Sequence, residues 1–219
     1  LQMKFSSIFQ ANFPFSPLRF PFFYGWCIVI FTTLGMIASI PGQTMGVGVY
    51  TDFLIQNSHL NRIQISMAYM TGTILSSLLL PLAGRYYDLV GGRIMIVFAG
   101  IGMGISLLLF AESLTIIHLV HSLLPNISIL TSELLVITVI FLLLRQFGQG
   151  IMAMVSRNTL AKWFERRRGM VSGISGIFVA FSFSGAPLFM NIIIEDYGYS
   201  GSMILMATIF GFGMAFIGW

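Results

Sequence analysis

The chain has 219 residues, 57% of them hydrophobic and only 8% charged, with a formal net charge of +4. A soluble domain carries about 25% charged residues, so the composition is that of an integral membrane protein. The basic excess does not indicate nucleic acid, because the Lys and Arg residues sit at the ends of apolar runs, where they set membrane orientation. Cys27 is the single cysteine, which excludes an intrachain disulfide and a thiolate metal cluster.

Residues 1–23, rich in Phe, Pro and Ser with Lys4 and Arg19, read as a cytoplasmic tail, and residues 24–219 as one bundle of six spans. The chain begins without a methionine and stops at the end of an apolar run, which reads as a fragment. Span 1 covers about 25–50, with Tyr24 and Trp26 as interfacial anchors. Its middle, Ser39-Ile40-Pro41-Gly42-Gln43-Thr44, is a poor lipid-facing helix. Pro41 lacks a backbone donor, and such a break is tolerated at depth only where protein or a water-filled cavity satisfies the freed groups. Ser39 and Gln43 fall one turn apart on a face read as lining a cavity.

An outer loop at 52–61 leads to span 2, about 63–83. Ser66, Tyr69, Thr73 and Ser76 recur there at three- and four-residue spacing as one polar stripe, serving interhelical hydrogen bonds or a solute, with Tyr69 the foremost functional candidate. The stretch Gly84-Arg85-Tyr86-Tyr87-Asp88-Leu89-Val90-Gly91-Gly92-Arg93 separates spans 2 and 3 and forces them to be antiparallel neighbours. Span 3, about 93–111, carries Gly100, Gly102 and Gly104, which suit close helix packing. The apolar stretch 113–124 lies in the outer interface or lengthens span 3. His118 and His121 share one face there, too few ligands for a metal site without a clear third. Asn126-Ile127-Ser128 matches the glycosylation sequon.

Span 4, about 132–156, is expected to start at a Thr131 cap with Glu133 in its first turn. Arg145 sits near its middle, about 18 Å from either end at ~1.5 Å per residue. A central arginine costs about 2.5–3.5 kcal/mol on insertion scales, which implies an inward-facing side chain with a partner or a cavity beside it. Gln149 follows one turn later. Residues 157–169, with Arg157, Lys162, Arg166, Arg167 and Arg168, form a second basic connection. Span 5, about 170–194, offers small-xxx-small contacts through Gly169, Gly173, Ser172 and Gly176. Span 6, about 199–219, carries no charge. Nine basic residues fall on one side, Arg62 alone on the other and Arg145 within the membrane, so both ends are expected to be cytoplasmic.

Six spans, a broken first helix, the mid-membrane Arg145 and the pattern Gly84, Asp88, Gly91, Arg93 together resemble the N-terminal half of a twelve-helix major facilitator superfamily transporter. Tyr24-Gly25-Trp26 and Trp163-Phe164-Glu165-Arg166-Arg167-Arg168 followed by Gly173 resemble the monocarboxylate transporter and oxalate–formate antiporter group within it. Three departures stand out. Gly42 occupies the position after the first-helix proline where some carriers have lysine, and Gln149-Gly150 fall one position later than the superfamily's Arg-x-x-Gln-Gly. Ala186-Pro187 only approximates the Gly-Pro of the antiporters' fifth helix, so exchange is not preferred over symport.

The resemblance implies an all-α transporter of the plasma membrane, moving a small organic anion by alternating access, by symport or antiport, with a coupled proton possible. Gln43, Thr44, Tyr69, Arg145 and Gln149 would contact the solute. Gly84, Asp88, Gly91, Arg93 and Arg157 would form a conformational latch against the C-terminal half. No cofactor, metal or nucleic acid is implied. A membrane enzyme would need a nucleophile–base or metal constellation inside the spans, and no His or acid lies at mid-membrane depth. The alternative is a self-contained six-helix carrier or channel acting as a homo-oligomer.

Overall fold

A computed structural model of the protein describes residues 23–219, so the tail expected over 1–23 lies, but for Phe23, outside the described part. Every regular element among the described residues is helical: α1 Gly25–Ala38, α2 Thr44–Asn57, α3 Arg62–Val90, α4 Gly92–Ala111, α5 Ser113–Leu123, α6 Ile129–Leu144, α7 Ala153–Trp163, α8 Arg168–Met206 and α9 Gly213–Gly218. A 3₁₀ turn, Ile40–Gly42, joins α1 to α2, and π-helical turns join α6 to α7 (Arg145–Met152) and α8 to α9 (Ala207–Phe212).

Four continuous helical stretches are long and apolar enough to cross a membrane: Arg62–Val90, Gly92–Ala111, Ile129–Trp163 and Arg168–Gly218. The last is two spans, because Gly198 (φ 69°, ψ 177°) breaks it and reverses the chain. Val171 packs beside Val29, Leu160 and Phe164 at the end of the bundle that holds the basic connections. Tyr199 and Ser200 bond the Phe110 and Ala111 carbonyls at the opposite end. Span 1 is α1 and α2, kinked by the 3₁₀ turn at Pro41, as the sequence requires. The chain thus passes six times through an all-helical bundle.

Local chemistry sets the boundaries. Asn61 and Gln64 form a reciprocal capping box that starts α3. The cap of α6 is Ser128, whose Oγ accepts from the Thr131 N–H at 3.2 Å, so the expected Thr131 cap is displaced by one turn. The charged stretch 84–93 is much less of a loop than its composition suggests. Tyr86, Asp88 and Leu89 continue α3 to Val90, and only Gly91, at φ +84°, turns the chain before α4 begins at Gly92. Residues 113–123 form the helix α5.

The glycines of span 3 do pack closely. A Cβ on Gly100 would lie 2.7 Å from the Ala215 nitrogen, and Gly104 abuts Gly211, so spans 3 and 6 approach backbone to backbone. Those of span 5 do not. Gly169, Gly173, Gly176 and Gly185 have open space where a Cβ would point. The buried interior of the bundle gathers Tyr50, Phe110, Phe141 and Tyr199, whose rings meet edge to face toward the non-basic end.

Candidate functional site

Arg145 opens the π-helical turn of span 4 and is buried, with 8% exposure. Its Nη1 donates to the Gly42 carbonyl at 3.4 Å, and its Cζ lies 5.1 Å from the centre of the Tyr69 ring. The carbonyl is offered by the break in span 1, and the ring face supplies a cation–π contact. No carboxylate pairs with Arg145: the ion pairs among the described residues are His59–Glu133, Arg62–Asp52 and Lys162–Asp88. A guanidinium carries five N–H donors, so this one is desolvated, partly satisfied and without a counter-charge.

The other candidates gather round it to different degrees. Tyr69 Oη lies 2.9 Å from Thr44 Oγ1, so α2, α3 and the π turn meet at the Tyr69 ring. Gln43 is half-buried next to Gly42 and donates to Ser39 Oγ at 3.0 Å, so the two side chains meet as their spacing suggests. Of the polar stripe on span 2, Ser76 bonds the buried Gln146 Oε1 at 2.9 Å, while Thr73 turns back to its own helix. Gln146 was not among the sequence candidates. Its position directly after Arg145 in an otherwise apolar run is the signal that would have found it.

Gln149 is exposed. Its neighbours locate it. Gly148 faces span 1, where a Cβ would lie 2.9 Å from the Gly42 Cα, and Gly150 faces span 2, where a Cβ would lie 3.4 Å from Leu80 Cδ1. Gln149 therefore points into the gap between spans 1 and 2, the gap where Arg145 meets Gly42 and Tyr69. The π turn places Gln149 about one turn beyond Arg145.

Spans 1 and 4 touch directly at Gly42 and Gly148, and Gly35 abuts Ser156 one helical stretch nearer the basic end. The polar cluster thus lies beside their contact rather than between them.

At the basic end, Asp88 is exposed and sits 3.5 Å from Lys162 Nζ, not beside Arg157. Lys162 is one and a half turns beyond Arg157 and is held by its 4.4 Å approach to the Tyr87 ring centre, while Tyr87 Oη lies 3.3 Å from Thr159 Oγ1. Gly91 supplies the positive-φ turn, Gly84 has open space around it, and Arg93 bonds the Trp219 carbonyl and covers its ring. Arg157 is exposed, with no hydrogen bond or ion pair among the described residues, and lines a separate cavity.

At the other end, Glu133 is buried at 5% side-chain exposure and holds His59, accepting from its backbone N–H at 3.1 Å and meeting its Nδ1 at 2.8 Å. This staple ties the loop after span 1 to the start of span 4 across 74 residues, a pairing no local pattern announces. Glu133→Leu removes these bonds to an exposed loop residue, at a net cost of about 0.5–1.5 kcal/mol each. A lower melting temperature of the purified variant checks this. Among the described residues no three His, Cys, Asp or Glu side chains group to hold a metal.

A family model described as Major Facilitator Superfamily matches residues 26–219 of the chain. No curated protein and no solved structure matches it.

Proposed function

Because the chain belongs to the major facilitator superfamily, a family of secondary transporters of small solutes, we propose that it moves a small organic anion, of the monocarboxylate or oxalate–formate class, across the plasma membrane. The observation that carries this reading is the buried, acid-free guanidinium of Arg145. A charge in that setting is costly unless an anionic ligand completes it, and a carboxylate fits the planar donor fork bidentately. Thr44, Tyr69, Gln43 and Gln149 surround the approach with hydroxyl and amide groups that can position such a ligand.

Alternating access needs a second six-helix body rocking against this one around a midplane site. The open glycines of span 5 and the apolar surface of span 2 are the faces where we place it. A C-terminal half of the same transporter would supply it, and a second copy of this chain is the alternative. The basic end would face the cytoplasm by the charge rule.

The latch reading shifts with the geometry. Asp88 and Lys162 would hold the ends of α3 and α7 together at the cytoplasmic side, with Gly91 as pivot and Gly84 and Arg93 flanking, whereas Arg157 is free for another task. Both charges are exposed, so the pair adds at most about 1 kcal/mol to stability. Asp88→Asn is therefore expected to leave the melting temperature unchanged while slowing turnover severalfold at unchanged substrate KM. An equal loss in KM would argue against a latch.

Uptake into proteoliposomes by the full-length protein, with a panel of small carboxylates and matched neutral analogues, tests the function. Saturable uptake of at least one carboxylate but of no neutral analogue is expected. Preference for the neutral compounds would refute the anion assignment. Stimulation by an inward proton gradient would establish a coupled proton, and counterflow without it would establish exchange.

A further inference from the structure

A cavity of about 350 Å³ opens between spans 1, 4 and 5 toward the basic end, on the other side of the Gly35–Ser156 contact from Arg145. It falls within the size range of small-molecule sites, about 300–1,000 Å³. Arg157 of α7 and Arg168 of α8 stand in its wall, and no acidic side chain lines it. Its hydroxyls differ in what they have to offer. Thr32 and Ser156 donate to the Ile28 and Met152 carbonyls, and Ser175 is paired with Thr33 at 2.7 Å. The side chains of Ser172, Arg157 and Arg168 are exposed and make no hydrogen bond among the described residues. Two guanidinia and one hydroxyl therefore face the same space with their donors uncommitted.

The nearby acids do not neutralise them. Asp88 is engaged by Lys162, and Glu165 lies outside the cavity lining. Arg166 and Arg167 add to the positive field from the adjoining connection. Arg157 is twelve residues after Arg145, at most about 18 Å along the helix, and half the hydrocarbon core is about 15 Å, which suits an arginine near headgroup depth.

We infer that this cavity binds an oxyanion, a phosphate or carboxylate group, held by Arg157 and Arg168 with Ser172, as a second anion site separate from Arg145. The group has two sources: the headgroup of an anionic lipid, or a free anion in the aqueous phase. Guanidinium forks suit either. The inference does not depend on which solute the protein carries.

The test uses the full-length protein carrying Cys27→Ser and Ala161→Cys, the latter placing a thiol in the cavity wall. Alkylation by a maleimide is followed at low ionic strength in nanodiscs of phosphatidylcholine, with and without inorganic phosphate, and in nanodiscs containing phosphatidylglycerol. Slowing by phosphate identifies a free-anion site, and slowing by phosphatidylglycerol alone identifies a headgroup site. Absence of both overturns the inference. The Arg157→Gln/Arg168→Gln pair is expected to abolish the slowing with the elution profile unchanged, and slowing that survives the pair also overturns it. Arg145→Gln is expected to leave the slowing intact. Its loss there would move the anion to the midplane site and refute a second one, independently of any transport result.

Discussion

Arg145→Ala is expected to abolish uptake while leaving the protein at least as stable as before. A buried charge pair broken on one side costs about 2–5 kcal/mol, and a bound anion that loses its guanidinium is in that position, so uptake at subsaturating solute should fall by about thirtyfold to several thousandfold. The empty protein is affected in the opposite sense. There the guanidinium is buried with one carbonyl and one aromatic face for company and no acid, and removing it relieves part of the cost of burying that charge. Melting in detergent, measured beside uptake, separates the two roles. Equal or higher melting temperature with lost uptake fits a ligand-binding arginine. A lower melting temperature with uptake lost only in proportion to folded protein would make Arg145 a structural residue.

Gly42→Val is expected to damage the fold itself. A Cβ at this position runs into the Leu144 carbonyl and approaches the Gly148 Cα to 2.9 Å. Both are backbone, so no side chain can rotate away, and span 1 must move off span 4. Overpacking typically costs about 1–3 kcal/mol and occasionally more; a backbone clash between two spans belongs at the upper end. The shift also withdraws the Gly42 carbonyl from Arg145. The control is Gly48→Val, on the same span but with nothing within 4 Å of its Cβ, for which a change within about 0.5 kcal/mol is expected. A large drop in melting temperature for the first and none for the second supports the contact. Matching behaviour of the two variants would mean that spans 1 and 4 do not touch there.

Hydropathy and the cost of burying charge made much of this molecule legible beforehand. Long apolar runs and a one-sided distribution of arginines give six passes, and Pro41 marks the break in span 1 because its missing donor cannot be hidden. Arg145 stood out for the same reason: a mid-span guanidinium is too costly to be incidental. The register of backbone hydrogen bonds is a different matter. Nothing in residue polarity distinguishes an α turn from the π turn at 145–152, so the turn was not foreseen. The charged stretch at 84–93 reads as a loop by composition, yet only Gly91 requires a non-helical conformation, and the helix runs up to it. Pairings between distant residues were the least accessible. Glu133 with His59, and Asp88 with Lys162 rather than Arg157, depend on which helix faces meet, and the hydrophobic pattern of a membrane span specifies faces weakly when lipid is as apolar as a neighbouring helix.

That last displacement bears on function. With Lys162 beside Asp88, the proposed latch and the proposed anion cavity would use different basic residues of the same connection. The two can then be perturbed separately: Asp88→Asn should alter turnover without altering protection of the cavity thiol.

The gap beside Arg145 is the feature on which the transport reading turns, and water access to it is measurable directly. In Cys27→Ser protein carrying Gln149→Cys, reconstituted in liposomes, a small charged thiosulfonate applied from the aqueous phase should modify the introduced thiol, and a transported carboxylate should slow the modification. A thiol untouched by the charged reagent yet readily alkylated by a lipid-soluble maleimide would place Gln149 against hydrocarbon and contradict an aqueous solute pocket at Arg145.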